Sequence, residues 1–171
     1  ALVQSADKKG VKVVVENCDM NSLEFALSIA KSQTEIDFVT EQDEKIHTLG
    51  FVEKWMNFLD QEDISEVGLC FDTGHANLLD APGMLRIMGR RVVTTHVQDN
   101  HGLLDEHLVP FYGSIDWEQL IGIFKEFDYS GPFIFEVGLR LTGVHSDDKH
   151  HRMEAVSSCR ARLLPLVANL E

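Results

Sequence analysis

A chain of 171 residues has the usual size of one domain, and 44% hydrophobic residues suffice for a sizeable core, which excludes a disordered tail. Lys plus Arg number 15 against 28 Asp plus Glu, a formal net charge of -13 that repels a phosphate backbone and argues against nucleic acid as a partner. Cys18, Cys70 and Cys159 are an odd set without CxxC spacing, so neither a disulfide framework nor a zinc knuckle is expected, and a reducing, cytoplasmic setting fits.

In chain order, the apolar run Val11 to Glu16 reads as a strand, and Ser22 to Lys31 as a helix capped by Asn21 or Ser22. The segment Gln33 to Ile46 fits an extra turn, a short helix or a flap equally well. A helix is expected over Thr48 to Leu59, then a strand from Val67 to Asp72 and a short helix over Pro82 to Met88 behind the cap Asp80. A third strand covers Val92 to Val97, a helix Trp117 to Phe127 starts at Asp116, a fourth strand spans Pro132 to Val137, and a last helix runs from about Arg152 to Leu170. Near-continuous apolar strands alternating with amphipathic stretches indicate α/β architecture, a parallel sheet with outer helices in one domain over residues 1–171. No stretch approaches the roughly 20 apolar residues of a membrane span, and the Ala-Leu-Val-Gln start lacks a basic-then-apolar signal pattern, so no membrane partner is expected.

All four strands share one property. Each carries a metal-capable residue at or near its C-terminal end: Glu16, Asp72 with His75, His96 with Asp99, and Glu136. In parallel α/β folds the loops at the carboxyl ends of the strands surround one mouth. Three carboxylates and one imidazole make an oxygen-rich donor set that suits Mn²⁺, Mg²⁺ or Co²⁺ and also admits Zn²⁺. Such a cation holds both oxygens of a hydroxy-carbonyl sugar and stabilises an enediolate while a carboxylate moves the proton.

The motifs Val14-Val15-Glu16-Asn17, Asp72-Thr73-Gly74-His75-Ala76-Asn77, His96-Val97-Gln98-Asp99-Asn100, Asp105-Glu106-His107-Leu108, Gly113-Ser114-Ile115-Asp116-Trp117 and Phe135-Glu136-Val137 resemble the xylose isomerase-like barrel superfamily. Within it they resemble the sugar phosphate isomerase/epimerase group, related to the AP-site endonucleases. The resemblance implies the last four βα units of a (β/α)8 TIM barrel, with the first four outside this chain. It implies Glu16, Asp72, His96 and Glu136 as ligands of one divalent cation, Glu16 and Glu136 also as the acid/base pair, and His75 as a contact to a substrate oxygen. In the endonuclease branch, the positions of His75, Asp105 and His107 form a second metal site for attack on a phosphodiester.

Three readings follow. A sugar or sugar phosphate isomerase/epimerase acting through an enediolate fits the donor set and the acidic charge best. A metal-dependent AP endonuclease-type hydrolase is the second. The third is a non-catalytic half-barrel that assembles with itself or with a partner chain, driven by an open sheet edge.

Other residues read more simply. Arg140 can grip a substrate phosphate or carboxylate or be an ordinary surface residue, and His47, His101 and the 147–151 stretch are expected on solvated surface. Asp99 and Asn100 serve either substrate or a turn, Trp117 packs, and Cys70 is a small core residue. The family pattern Pro-Gly-x-Gly is replaced by Pro110-Phe111-Tyr112-Gly113, which is expected to change that loop or to present two aromatics to a pocket or partner.

Overall fold

The apolar runs pair side by side in a computed structural model that describes residues 6, 8–17, 49–61, 67–138 and 149–168. Strands β1 (Val14–Glu16), β2 (Gly68–Asp72), β3 (Val92–Val97) and β4 (Phe133–Phe135) form one sheet in that order, every neighbouring pair parallel. The helices are α1 (Leu49–Gln61), α2 (Thr73–Asn77), α3 (Ala81–Met88), α4 (Trp117–Glu126) and α5 (Lys149–Val167), with a 3-10 turn over Gly89–Arg91. Parallel neighbours need crossovers, and helices supply them between β2, β3 and β4, as in a (β/α) barrel.

Sequence pattern and local structure agree closely at the helix starts. Asp80 Oδ1 accepts from Gly83 N–H and Asp116 Oδ1 from Gln119 N–H, each at 3.0 Å, so both expected caps are formed. The helix α2 is new. Its five residues carry no apolar period, and it exists because Asp72 Oδ1 accepts from His75 N–H at 2.8 Å directly at the end of β2. The first strand is shorter than its apolar run, since Val11 N–H donates to Ala6 O in a turn and Val11 stays 57% exposed.

The helices cover one face of the sheet. Leu69, Phe71, Leu85, Leu120 and Phe124 are buried there, with Phe71 and Phe124 edge to face at 5.9 Å between centroids. Each such side chain contributes about 1.5–3 kcal/mol relative to exposure. Cys70 is buried as expected for a small core residue, and Trp117 is buried too. A smaller core joins Val109, Phe111, Ala155 and Cys159, fastening α5 to the loop that follows β3. On the other face of the sheet Val14 and Ile134, from the two outer strands among the described residues, stay 43% and 47% exposed. No helix among the described residues is long and apolar enough to cross a membrane.

Candidate functional site

The four strand-end residues meet. Glu16, Asp72, His96 and Glu136 each offer one donor atom, and these atoms all lie within 4.8 Å of one another. The register explains how. Glu16 pairs with Cys70, two residues below Asp72; Asp72 pairs with His96; and His96 pairs with Ile134, two residues below Glu136. Alternation then puts all four side chains on the inner face, climbing along the stagger that a tilted barrel requires.

Neighbouring side chains hold this arrangement. Asp72 N–H donates to Asn17 Oδ1 at 2.6 Å, and Asn17 Nδ2 donates to Asp72 O at 2.9 Å, so one buried amide extends the β1–β2 ladder to the end of the strand. Thr73 does the same for β3: its Oγ1 donates to Gln98 O at 2.6 Å and accepts from Gln98 N–H at 3.0 Å.

The donor atoms approach without satisfying one another. His96 Nδ1 lies 2.6 Å from Glu136 Oε2 and 3.3 Å from Glu16 Oε1, yet His96 Nδ1, Glu136 Oε2 and Asp72 Oδ2 are buried with no aligned hydrogen-bond partner. Buried polar atoms are rarely left so, because each costs about 1–3 kcal/mol. Donor atoms gathered within 4.8 Å without aligned hydrogen bonds to quiet them fit a cation, and the mixture of three carboxylates and one imidazole is a donor set for Mn²⁺, Mg²⁺, Co²⁺ or Zn²⁺.

A second group adjoins the first. His75, Asp105 and His107 also offer atoms within 4.8 Å of one another. Asp105 Oδ2 lies 3.1 Å from His75 Nε2 and 2.9 Å from His107 Nε2. His107 Nδ1 donates to the Glu136 carbonyl at 3.0 Å, which aims Nε2 at Asp105. The His107 backbone sits at φ 51°, in the left-handed region that side-chain-bearing residues seldom occupy. His75 spans both groups, its Nδ1 lying 3.5 Å from both Glu16 Oε1 and Asp72 Oδ1.

The electrostatics follow from this crowding. Burial raises the Asp72 carboxyl above the usual carboxylate range, partly offset by His75. Glu16 is lowered, chiefly by the His75 imidazole beside it. For His75, burial disfavours the charged ring, but Glu16, Asp72 and Asp105 outweigh it and push the pKa up to about 9. His107 is raised as well: burial opposes, while the Glu136 carbonyl and Asp105 prevail. Burial pulls Asp105 upward, yet Gln98, His75 and His107 bring it below its ordinary value.

Other sequence candidates resolve differently. Asp99 is fully buried and accepts from Asn100 N–H, Phe111 N–H, Ile115 N–H and Trp117 Nε1–H, so it anchors the loop after β3 and does not face the mouth. Asn100 is buried too, donating to Gly74 O at 2.8 Å. His101 pairs with Glu106 on the surface at 2.8 Å. At the departure from the glycine pattern, Phe111 has φ 74°, in the left-handed region that a glycine favours. The Phe111 ring packs on Trp117 and lies 3.8 Å beneath the Arg162 guanidinium. Arg140, His47, Cys18, the expected helix Ser22 to Lys31 and the segment Gln33 to Ile46 lie outside the described residues, as do the side chains of Lys149, His150 and His151. Asn17 and Gln98 were not singled out from sequence. They stand within the motifs that carry the family resemblance, and their local signal is a polar side chain just after an apolar strand.

A parallel α/β sheet with outer helices, and acidic and imidazole side chains gathered at one strand-end mouth, is the arrangement of part of a (β/α) barrel. The chain belongs to the xylose isomerase-like TIM barrel family, whose model matches residues 1–155. It is similar to the uncharacterised protein y4fM of Sinorhizobium fredii, 33% identical over 106 residues, which are 60% of this chain and 33% of that protein. A second relative is the uncharacterised protein MJ1311 of Methanocaldococcus jannaschii, 33% identical over 78 residues, 43% of this chain and 27% of that protein. Among solved structures, the apo form of 3-keto-D-glucoside 4-epimerase YcjR from E. coli superposes with a TM-score of 0.59 at 17% identity, covering 94% of this chain and 49% of that one. At that identity the likeness is one of fold. The chain thus spans 33% and 27% of these two relatives and 49% of the epimerase chain.

Proposed function

We propose that this chain carries the metal-holding strands of a sugar isomerase or epimerase. The convergence of donor atoms from Glu16, Asp72, His96 and Glu136, with buried atoms of the last three left without a hydrogen-bond partner, is the observation that carries the reading. Those four residues would hold a divalent cation, which when bound polarises a carbonyl and stabilises the negative charge of an enediolate.

The chain's own groups supply the rest. Glu16 and Glu136 stand on the two outer strands, flanking Asp72 and His96, so a substrate carbon between them meets a carboxylate from either side. One glutamate takes the proton α to the carbonyl and the other returns it, the exchange an isomerase or epimerase requires. His75 stands beside Glu16 with a raised pKa, suited to donate to a substrate oxygen. The superposition on a 3-keto-D-glucoside 4-epimerase supports sugar chemistry by analogy of fold. In the whole enzyme, the outer edges of β1 and β4, unpaired among the described residues, would be closed by further strands, from a longer chain or from another copy.

Glu136→Gln tests the mechanism on a panel of ketoses, aldoses and their phosphates. Turnover falls by about 10²–10⁴-fold if Glu136 moves the proton; a variant with full turnover removes the mechanism.

The three-residue group supports a second reading, phosphodiester hydrolysis of the AP endonuclease type. His75, Asp105 and His107 could hold a further ion adjoining the first. Cleavage of an abasic duplex with more than one ion bound would favour it, while the net charge of -13 weighs against a DNA substrate.

A further inference from the structure

Between the two donor groups lies a side chain that belongs to neither. Gln98, the residue after β3, is 0% exposed, yet its Oε1 meets no donor. Its Nε2 donates to Asp105 Oδ1 at 2.8 Å and to Asp72 Oδ1 at 3.3 Å. The reversed amide would set an oxygen against two carboxylate oxygens, so chemistry fixes this orientation.

The consequence is the same on both aspartates. Gln98 takes Oδ1 of each, sharing that of Asp72 with the His75 N–H at 2.8 Å, and Oδ2 is left for the donor group. Asp72 Oδ2 is unpartnered within the four-residue set, and Asp105 Oδ2 faces the Nε2 atoms of His75 and His107. Two further contacts hold the amide in place. The Gln98 backbone is clamped on Thr73 Oγ1, and a Cβ at position 74 would collide with the carboxamide, so Gly74 provides the space it fills.

We propose that Gln98 is a positioning residue that aims Asp72 and Asp105 together, one carboxamide setting the orientation of a donor in each group. This rests on the metal-centre reading above. A buried glutamine that only filled core volume would pack against apolar atoms or backbone; this one spends both hydrogens of its amide on two carboxylates.

The test compares wild type with Gln98→Met, which keeps the length without a donor, and Gln98→Glu, which keeps the shape and replaces the donor by an oxygen. Mn²⁺ binding followed by electron paramagnetic resonance reads the four-residue set, and crystal structures of the metal-free variants read Asp105. Each folded variant is expected to bind Mn²⁺ about 10–100-fold more weakly, the usual cost of losing an outer-shell partner. The Mn²⁺ spectrum changes, and the Asp105 carboxylate rotates away from His75 and His107. Wild-type Mn²⁺ affinity in either folded variant, or an Asp105 carboxylate that keeps its place, overturns the proposal and leaves the metal-centre reading standing. A wild-type protein that takes up no Mn²⁺ overturns that reading and this proposal with it.

Discussion

Glu136 and His107 are joined by a single hydrogen bond, from His107 Nδ1–H to the Glu136 carbonyl at 3.0 Å, which couples two donor groups through one residue. The Glu136 side chain belongs to the four-residue set while its backbone orients an imidazole of the other. Because Nδ1 carries the proton of that bond, Nε2 donates to Asp105 in the charged ring and would offer its lone pair to a cation beside Asp105 in the neutral one. His107→Gln is expected to weaken binding of a second divalent ion by at least about tenfold and to leave the first within about tenfold of wild type. Calorimetric titration with Zn²⁺ checks this, and equal loss at both steps would contradict it.

Asp72 stands in the opposite relation to stability and to metal. Its carboxyl is raised by burial, so its charged form destabilises the metal-free fold above the usual carboxylate pKa. Asp72→Asn is therefore expected to stabilise the metal-free protein by about 1 kcal/mol. It lowers metal affinity by more than about a hundredfold, beyond what an outer-shell partner costs. Thermal melts in chelator and Mn²⁺ titrations measure the two effects, and a variant that loses stability without losing metal refutes the assignment.

The metal-free protein carries its own pH signature. The folded pKa of His75, about 9, exceeds the unfolded 6.5, so its contribution is complete below about pH 6.5 and is lost as pH rises through about 9. His107 shifts in the same direction. Melts in chelator between pH 6 and 10 should show Tm falling across that window, and His75→Gln should flatten the fall. A wild-type Tm that rises over the same range contradicts the assignment of the charged ring.

Much of this architecture is legible from residues alone. Apolar runs that stop at a charged or imidazole residue mark β2 and β3 almost to the residue, because strand burial and strand ends leave local signals. Asp80 and Asp116 are legible as caps for the same reason, since a cap acts within three positions. The helix α2 is not, because five residues cannot display a period and its start depends on a side chain that also faces the mouth. Asn17 and Gln98 are hidden for a related reason: their partners lie 55 and 26 positions away on Asp72, and no local pattern encodes such contacts.

Phe111 stands where the sequence departs from the family pattern, on a backbone in the left-handed region that glycine favours. At φ 74° an alanine inherits the strain and loses the ring, whereas a glycine loses only the ring. Phe111→Gly should therefore be more stable than Phe111→Ala by about 1 kcal/mol, reversing the usual order of the two. Denaturant unfolding of both variants decides it; an alanine form equal to or more stable than the glycine form would show that the turn relaxes.

The central claim is that the strand ends share one cation. A crystal of the protein soaked in Mn²⁺, with anomalous diffraction recorded at the manganese edge, tests it most directly. The expected map has one peak within about 2.0–2.4 Å of oxygens from Glu16, Asp72 and Glu136 and of a His96 ring nitrogen. A manganese peak elsewhere, or none at a concentration that saturates binding in solution, contradicts the account.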